Sequence, residues 1–137
     1  MKNIRIVLIA AVLLCTGLSA RSQNRTDSYD VFIPISKYIR QGDADKLSAW
    51  FADNLEITVF STTNDSSRNQ ARQILKSFFD SYTPNAFEIE HTAGRSSMKF
   101  ALGRLKAGGE VFEVTIFVSI KGEETYKIQQ LKIAKSE

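Results

Sequence analysis

The side chain best suited to acid–base chemistry in this 137-residue chain is His91, its only histidine. An imidazole changes charge near neutral pH and can transfer a proton there. His91 follows Phe87 and Ile89 at alternate positions, which predicts that a strand points all three side chains to one face. No partner that would complete a catalytic set is evident. The alternative is a histidine at a strand end that is exposed or bonded to backbone.

Carboxylates and thiols offer little further chemistry. Glu88 and Glu90 alternate with apolar residues, which is typical of the solvent-facing side of a strand. One histidine, one cysteine and no clustered acidic residues predict that the chain has no metal site. The Ser and phosphate-loop motifs G-x-S-x-G and G-x-x-x-x-G-K-[ST] are absent from the sequence, so we expect no cofactor.

The aromatic residues are numerous for a small domain, and a pocket for a small apolar ligand is one interpretation of them. Six side chains are candidates for lining such a pocket: Trp50, Phe51, Phe79, Tyr82, His91 and Phe100. The alternative is that the aromatic side chains simply fill the core. The sequence leaves both interpretations open.

The elements that must position these residues begin with a helix. Phe32, Ile35 and Ile39 recur near helical spacing, with Asp30 as the expected N-cap and Gly42 as the expected end. Asp43 then caps a second, shorter helix. Residues 55–59 alternate like a strand, residues 61–67 read as a polar loop, and residues 69–82 carry the strongest apolar stripe of any predicted helix.

The rest of the chain has the pattern of strands. Changes in the alternation of apolar residues predict bulges near Gly103 and near residues 129–130. The fold class is therefore α+β, with three N-terminal helices packed on a strongly curved mixed or antiparallel sheet in the order αα-β-α-ββββ. We expect one domain over residues 29–137. The four predicted strands after the third helix are 87–91, 98–106, 110–121 and 126–134.

A family resemblance supports this order. Residues 42–54, Gly-Asp-Ala-Asp-Lys-Leu-Ser-Ala-Trp-Phe-Ala-Asp-Asn, resemble the "gD…l…fadd" stretch of the nuclear transport factor 2-like superfamily. Together with residues 70–79 of the third helix, the chain is similar to a secreted bacterial family, the domain of unknown function 4783. The resemblance implies a cone-shaped α+β fold, and the family name carries no activity.

Enzymes of that superfamily provide a check. The ketosteroid isomerase-like members place a carboxylate base on the first strand, and the matching position here is Val59. They also use a tyrosine in the first helix, where this chain has Ile35. Neither residue can do that chemistry, so the resemblance does not extend to the activity.

The N-terminus predicts export. Residues 1–22 combine Lys2 and Arg5, an apolar run over 6–14 and small residues before Ser22, as in a cleaved signal peptide. Residues 23–28 read as a flexible lead-in. The apolar run is too short to cross a membrane, so we expect no transmembrane segment in the mature chain. A lipid anchor at Cys15 is disfavoured because Leu14 replaces the small residue that attachment requires.

Cleavage near Ser22 also changes the charge. The full chain has 18 Lys and Arg against 15 Asp and Glu, and removal of Lys2, Arg5 and Arg21 leaves 15 of each. A nucleic-acid partner is therefore not expected. The sequence predicts an exported, non-enzymatic domain that binds a small apolar ligand or an envelope protein, or forms a homodimer. The alternative is a small isomerase-, dehydratase- or hydrolase-type enzyme that uses His91.

Overall fold

The computed structural model describes residues 28–120 and 125–136, so the predicted signal peptide and residues 23–27 lie outside the described residues. The described helices are α1 (Phe32–Gln41), α2 (Ala44–Ser48) and α3 (Arg68–Ser81). The described strands are β1 (Phe51–Val59), β2 (Thr62–Ser67), β3 (Pro84–Gly94), β4 (Met98–Ala107), β5 (Glu110–Ser119) and β6 (Lys127–Lys135).

The strands form one mixed sheet in the order β2-β1-β6-β5-β4-β3. β1 and β6 run parallel, and the other neighbouring pairs are antiparallel. The α+β class is confirmed. The predicted order αα-β-α-ββββ is matched only in part, because β2 is an additional strand between β1 and α3 and the observed order is αα-ββ-α-ββββ. The three helices are therefore not all N-terminal to the sheet, since α3 follows β1 and β2.

The predicted loop over residues 61–67 is also wrong, since most of it forms β2. Its sequence, Thr-Thr-Asn-Asp-Ser-Ser, is polar because β2 is an edge strand whose first four side chains are exposed. It pairs with β1 in register from Val59–Thr62 to Asn54–Ser67. Backbone pairing needs no apolar alternation, so a strand of this kind gives no period-two signal.

The helix ends follow local chemistry. Gly42 ends α1 with a φ of 66°, and the Asp43 side chain accepts a hydrogen bond from the backbone N–H of Lys46, so both predictions are confirmed. Asp30 is not the N-cap of α1, because Val31 occupies that position without a side-chain cap.

The third helix lies one residue earlier at each end than predicted. Ser67 and Gln70 form a reciprocal capping box that fixes its start. Its buried face packs toward the sheet, and this face comprises Ala71, Leu75, Phe78 and Phe79.

One of the two predicted bulges is confirmed. In the pairing of β5 with β6, Phe117 lies opposite Gln130 and Val118 lies opposite Ile128, which leaves Gln129 as the extra residue. This extra residue keeps Ile128 and Leu131 both buried despite their odd spacing.

The bulge predicted near Gly103 is wrong, and the extra residue lies in the neighbouring strand β3. β4 continues through Gly103 without a break, and the extra residue is Glu90 in β3, because Ile89 pairs with Gly103 and His91 pairs with Leu102. A Cβ atom at Gly103 would lie 2.5 Å from the ring of Phe87. Gly103 is therefore explained by the close approach of that ring.

The inner face of the sheet and the helices share one hydrophobic core. Large side chains such as Leu47, Phe51, Leu75 and Phe112 have no exposed surface, so the space between helices and sheet is filled at these positions. Among the described residues, no helix has the length and apolar character needed to cross a membrane.

Candidate functional site

A groove of about 470 Å³ lies between α3 and the end of β1. Its walls combine the last residue of β1 and the residue after it with five residues of α3 and the residue that follows α3. The lining residues are Val59, Phe60, Gln73, Ile74, Ser77, Phe78, Ser81 and Tyr82. The groove is open along its length, and it is where apolar side chains of the core reach the surface.

The helical wall carries two parallel rows of side chains. Residues four apart lie on the same side of a helix, and each row repeats at this spacing. The apolar row is Ile74, Phe78 and Tyr82, and the polar row is Gln73, Ser77 and Ser81.

Phe60 forms the opposite wall in an unusual backbone conformation. It is the first residue of a two-residue turn, since Val59 pairs with Thr62. Its φ of 59° makes it the one non-glycine residue with positive φ in the described part of the chain. Hairpin turns with positive φ at the first central residue alone favour glycine there. This conformation costs an L-residue about 1–2 kcal/mol.

The Phe60 ring joins an aromatic cluster that extends into the core. Its centroid lies 6.1 Å from that of Phe78, 5.8 Å from that of Tyr82 and 6.0 Å from that of Phe112. Phe112 is fully buried, whereas Phe60 is 40% exposed. The cluster therefore gives the groove a rigid floor and leaves one ring at its rim.

The β4–β5 turn holds the far end of the groove. The backbone N–H of Gly108 donates to the carbonyl of Thr83 at 3.0 Å, and a Cβ atom at Gly108 would lie 3.0 Å from the Cα of Tyr82. The Tyr82 N–H donates to the carbonyl of Phe78 at 2.8 Å. Tyr82 is thus fixed by packing and backbone bonds on both sides.

The groove lining has no charged side chain among the described residues. The nearby Lys135 ammonium lies 2.9 Å from a Glu110 carboxylate oxygen. The hydrogen bond and negative charge of Glu110, with a smaller contribution from Tyr82, raise the pKa of Lys135 above its ordinary value. The positive charge near Tyr82 is therefore already paired.

The structure brings few of the predicted pocket residues together. Tyr82 alone of the six lines the groove. Phe51 and Phe79 are buried in the core, and Trp50 packs half-buried against it. Phe51 in β1 and Phe79 in α3 lie on the faces of these elements that point into the core. Their burial agrees with the interpretation that the aromatic side chains fill the core.

His91 and Phe100 lie on the outer face of the sheet. The Glu90 bulge places His91 opposite Leu102, so the expectation that His91 shares a face with Phe87 and Ile89 is wrong. Phe100 alternates with buried Lys99 and Ala101. Its ring stacks on Phe117 at a centroid distance of 4.7 Å. We call the group Met98, Phe100, Leu102 and Phe117 the outer patch.

Sequence reasoning missed most of the groove. The spacing of Ile74, Phe78 and Tyr82 carries a usable signal, because it marks one edge of the apolar stripe of α3. Phe60 follows a strand directly and gives no turn signal. Val59, the position matched to a carboxylate base in the resemblance, contributes an apolar wall. No cluster of three potential metal-ligating side chains occurs within the residues that the structure describes.

Comparison with protein families matches residues 32–134 to a domain of unknown function (DUF4783). No curated protein matches the chain. The match covers nearly all of the described residues and confirms the resemblance drawn from the sequence.

Solved structures show the same fold. The chain is similar to a DUF4783 family protein from Bacteroides uniformis, with 19% identity, a TM-score of 0.73 and coverage of 76% of this chain and 95% of that one. A DUF4783 family protein from Bacteroides ovatus has 20% identity and a TM-score of 0.73, with coverage of 77% of this chain and 94% of that one. A ketosteroid isomerase-like protein from Erwinia carotovora atroseptica has 9% identity and a TM-score of 0.64, with coverage of 77% of this chain and 91% of that one. The fold is nuclear transport factor 2-like.

Proposed function

Because the chain belongs to the DUF4783 family, whose name specifies no activity, we propose its function from the groove itself. The domain is a non-enzymatic binding protein that holds a small apolar ligand between α3 and Phe60. The volume of about 470 Å³ lies within the range of pockets that bind small molecules, and its floor is aromatic.

The backbone of Phe60 is the observation that carries this proposal. A bulky residue stands where glycine would relieve strain, and its ring is 40% exposed. Strained residues persist where the surrounding structure holds them and are concentrated at functional sites. The strained backbone of Phe60 places an aromatic ring at the rim of the groove, where the ring can contact a ligand.

A fluorescence titration with N-phenyl-1-naphthylamine, an uncharged apolar probe, tests the proposal. We expect saturable binding of one probe per chain, and loss of at least about tenfold in affinity in Phe60→Ala, since the ring supplies a wall of the groove. Phe100→Ala is the matched control, because Phe100 is also 40% exposed but lies on the outer face. Equal affinities for the wild type and Phe60→Ala would contradict the proposal.

The proposed compartment is outside the cytoplasm, and it rests on the signal-like residues 1–22. Expression of the full chain in a bacterial host should give a mature protein that begins at Gln23. Mass spectrometry of the secreted or periplasmic fraction measures this directly. An intact N-terminus in a cytoplasmic fraction would refute export.

A second candidate function, self-association, is favoured by the outer patch. Met98 is 37% exposed and Phe100 is 40% exposed, and exposed apolar patches commonly mark interfaces. Charges of both signs border the patch, including the pair of Arg104 with Glu90 at 3.4 Å. A second copy related by a two-fold axis could match these charges, which favours a homodimer over another envelope protein.

Sedimentation tests this second candidate. A dimer at micromolar concentration that becomes a monomer in Phe100→Glu would support it. A monomeric wild-type protein would exclude the homodimer and direct the search to a different envelope partner. Groove binding of the naphthylamine probe should be the same in either case, because the two surfaces lie on opposite faces of the sheet.

A further inference from the structure

The spacing of the two rows on α3 constrains the shape of a ligand. A helix rises about 1.5 Å per residue, so each four-residue step covers about 6 Å and each row spans about 12 Å. The apolar row and the polar row run side by side along the groove. A molecule that contacts both rows must be elongated and must present a different chemistry along each of its long edges.

The charges around the groove constrain the ligand further. Its lining residues are all uncharged. Lys76 and Asp80 of α3 border a separate cleft beside α2. Lys135 is paired with Glu110. An ionic group of a ligand would lose part of its hydration against the groove walls without gaining a counter-charge from the lining residues, which is unfavourable.

The polar row can serve as both donor and acceptor. The Ser77 and Ser81 hydroxyls and the Gln73 amide each offer both functions, and all three residues are exposed along the rim of the groove. Hydroxyl, carbonyl and amide groups of a ligand are suitable partners for such a row. Carboxylate, sulfonate, phosphate and ammonium groups are not favoured, because the described residues that line the groove carry no charge to pair with them.

We infer that the ligand is an uncharged, elongated molecule with one apolar edge and hydrogen-bonding groups along the other. This inference rests on the proposed groove function and names the chemical class of its ligand. Gln73, Ser77 and Ser81 are the specificity-determining residues, and the aromatic floor supplies the general affinity.

Displacement of N-phenyl-1-naphthylamine by three rigid rods tests the inference. The rods are biphenyl, biphenyl-3,3′-diol and biphenyl-3,3′-dicarboxylate, which share one skeleton and whose two substituents can both lie on one long edge. Two hydrogen bonds are together worth about tenfold in affinity, so we expect the diol to bind about tenfold more tightly than biphenyl. The dicarboxylate should bind more weakly than either.

Variants assign the effect to the polar row. In the double variant Gln73→Leu, Ser81→Ala most of the advantage of the diol over biphenyl should be lost, because only Ser77 of the polar row remains, while affinity for biphenyl itself is retained. Asp80→Ala is the control, since this residue is exposed on the same helix but outside the groove. A diol advantage that persists in the double variant would overturn the assignment.

The outcomes separate this inference from the function beneath it. If neither the naphthylamine probe nor biphenyl binds, the groove function fails. If biphenyl binds but the diol gains nothing, or the dicarboxylate binds as tightly as the diol, the groove function stands and the inference about ligand class is overturned.

Discussion

Two aromatic clusters lie toward opposite ends of β5, and only one of them is open. The groove cluster, which comprises Phe60, Phe78, Tyr82 and Phe112, lies at the start of β5. A second cluster lies around Lys99, which pairs with Val118 near the end of β5. We call this second cluster the lysine cage. The Lys99 ammonium lies 4.8 Å from the ring centroid of Tyr29 and 5.4 Å from that of Tyr126.

The cage is filled by the chain itself. Lys99 is only 5% exposed, and its ammonium donates a hydrogen bond to the carbonyl of Ser28. Lys99 in β4 therefore links the segment before α1 to the residue before β6. Within residues 28–120 and 125–136, no side chain occupies the groove in this way. The comparison teaches that a set of aromatic residues indicates a binding site only where no side chain of the protein occupies it.

The largest expected effect is at Phe112, the buried ring that supports the floor of the groove from below. Phe112→Ala should lower the free energy of unfolding by about 3–5 kcal/mol, because it removes a fully buried ring that contacts Phe60, Phe78 and Tyr82. Urea denaturation measures this loss. Phe100→Ala deletes the same atoms from the surface and should cost far less. Comparable losses in the two variants would mean that the groove floor is not part of the core.

Lys99→Met should have the next largest effect, at the other end of the sheet. It keeps much of the apolar stem but removes a desolvated cation–π contact and a charged hydrogen bond, together worth about 2 kcal/mol. Amide exchange should accelerate at Phe32, whose N–H donates to the Tyr29 carbonyl. Binding of the naphthylamine probe should not change. Loss of probe binding would show that the two clusters are coupled.

The sequence predicts the long, regular parts of this fold well. The stripe of α3 and the Gly42 and Asp43 helix ends depend on contacts within a few residues, which a local pattern records. β2 gives no such pattern, because it is an exposed edge strand held by backbone bonds.

The positions of site residues depend on nonlocal details. The Glu90 bulge responds to packing against β4, and a shift of one residue moves every following side chain to the other face. In β4 apolar residues occupy both faces, so alternation alone could not decide whether Lys99 or Phe100 points inward. Phe60 contradicts the turn preferences that would have marked it. These features arise from competition between segments far apart in the chain.

A pair of variants at Phe60 measures the backbone strain at the rim of the groove. Phe60→Gly and Phe60→Ala both remove the ring, but only glycine adopts positive φ without steric cost. We therefore expect Phe60→Gly to be more stable than Phe60→Ala by about 1 kcal/mol in urea denaturation. Both should lose probe affinity equally. An alanine variant as stable as the glycine variant would show that the turn is relaxed.

The smallest expected effect concerns the lysine at the groove end. Lys135 is exposed, unlike Lys99, and its interaction with Glu110 raises its pKa. A lysine whose folded-state pKa is raised contributes stability below its ordinary pKa, and this contribution disappears as pH rises through the raised value.

Stability curves of the wild type and Lys135→Met should therefore differ slightly and constantly at neutral pH, and should converge in strongly alkaline solution. Urea denaturation across this pH range, with Glu110→Gln as the control that removes the partner of Lys135, measures the difference. Because the ion pair of Lys135 and Glu110 is exposed to solvent, raising the salt concentration should reduce the difference in stability between the wild type and Lys135→Met further. A difference that grows with pH would mean that Lys135 is not stabilised by Glu110. A large difference at neutral pH would mean that this end of the groove is as enclosed as the lysine cage.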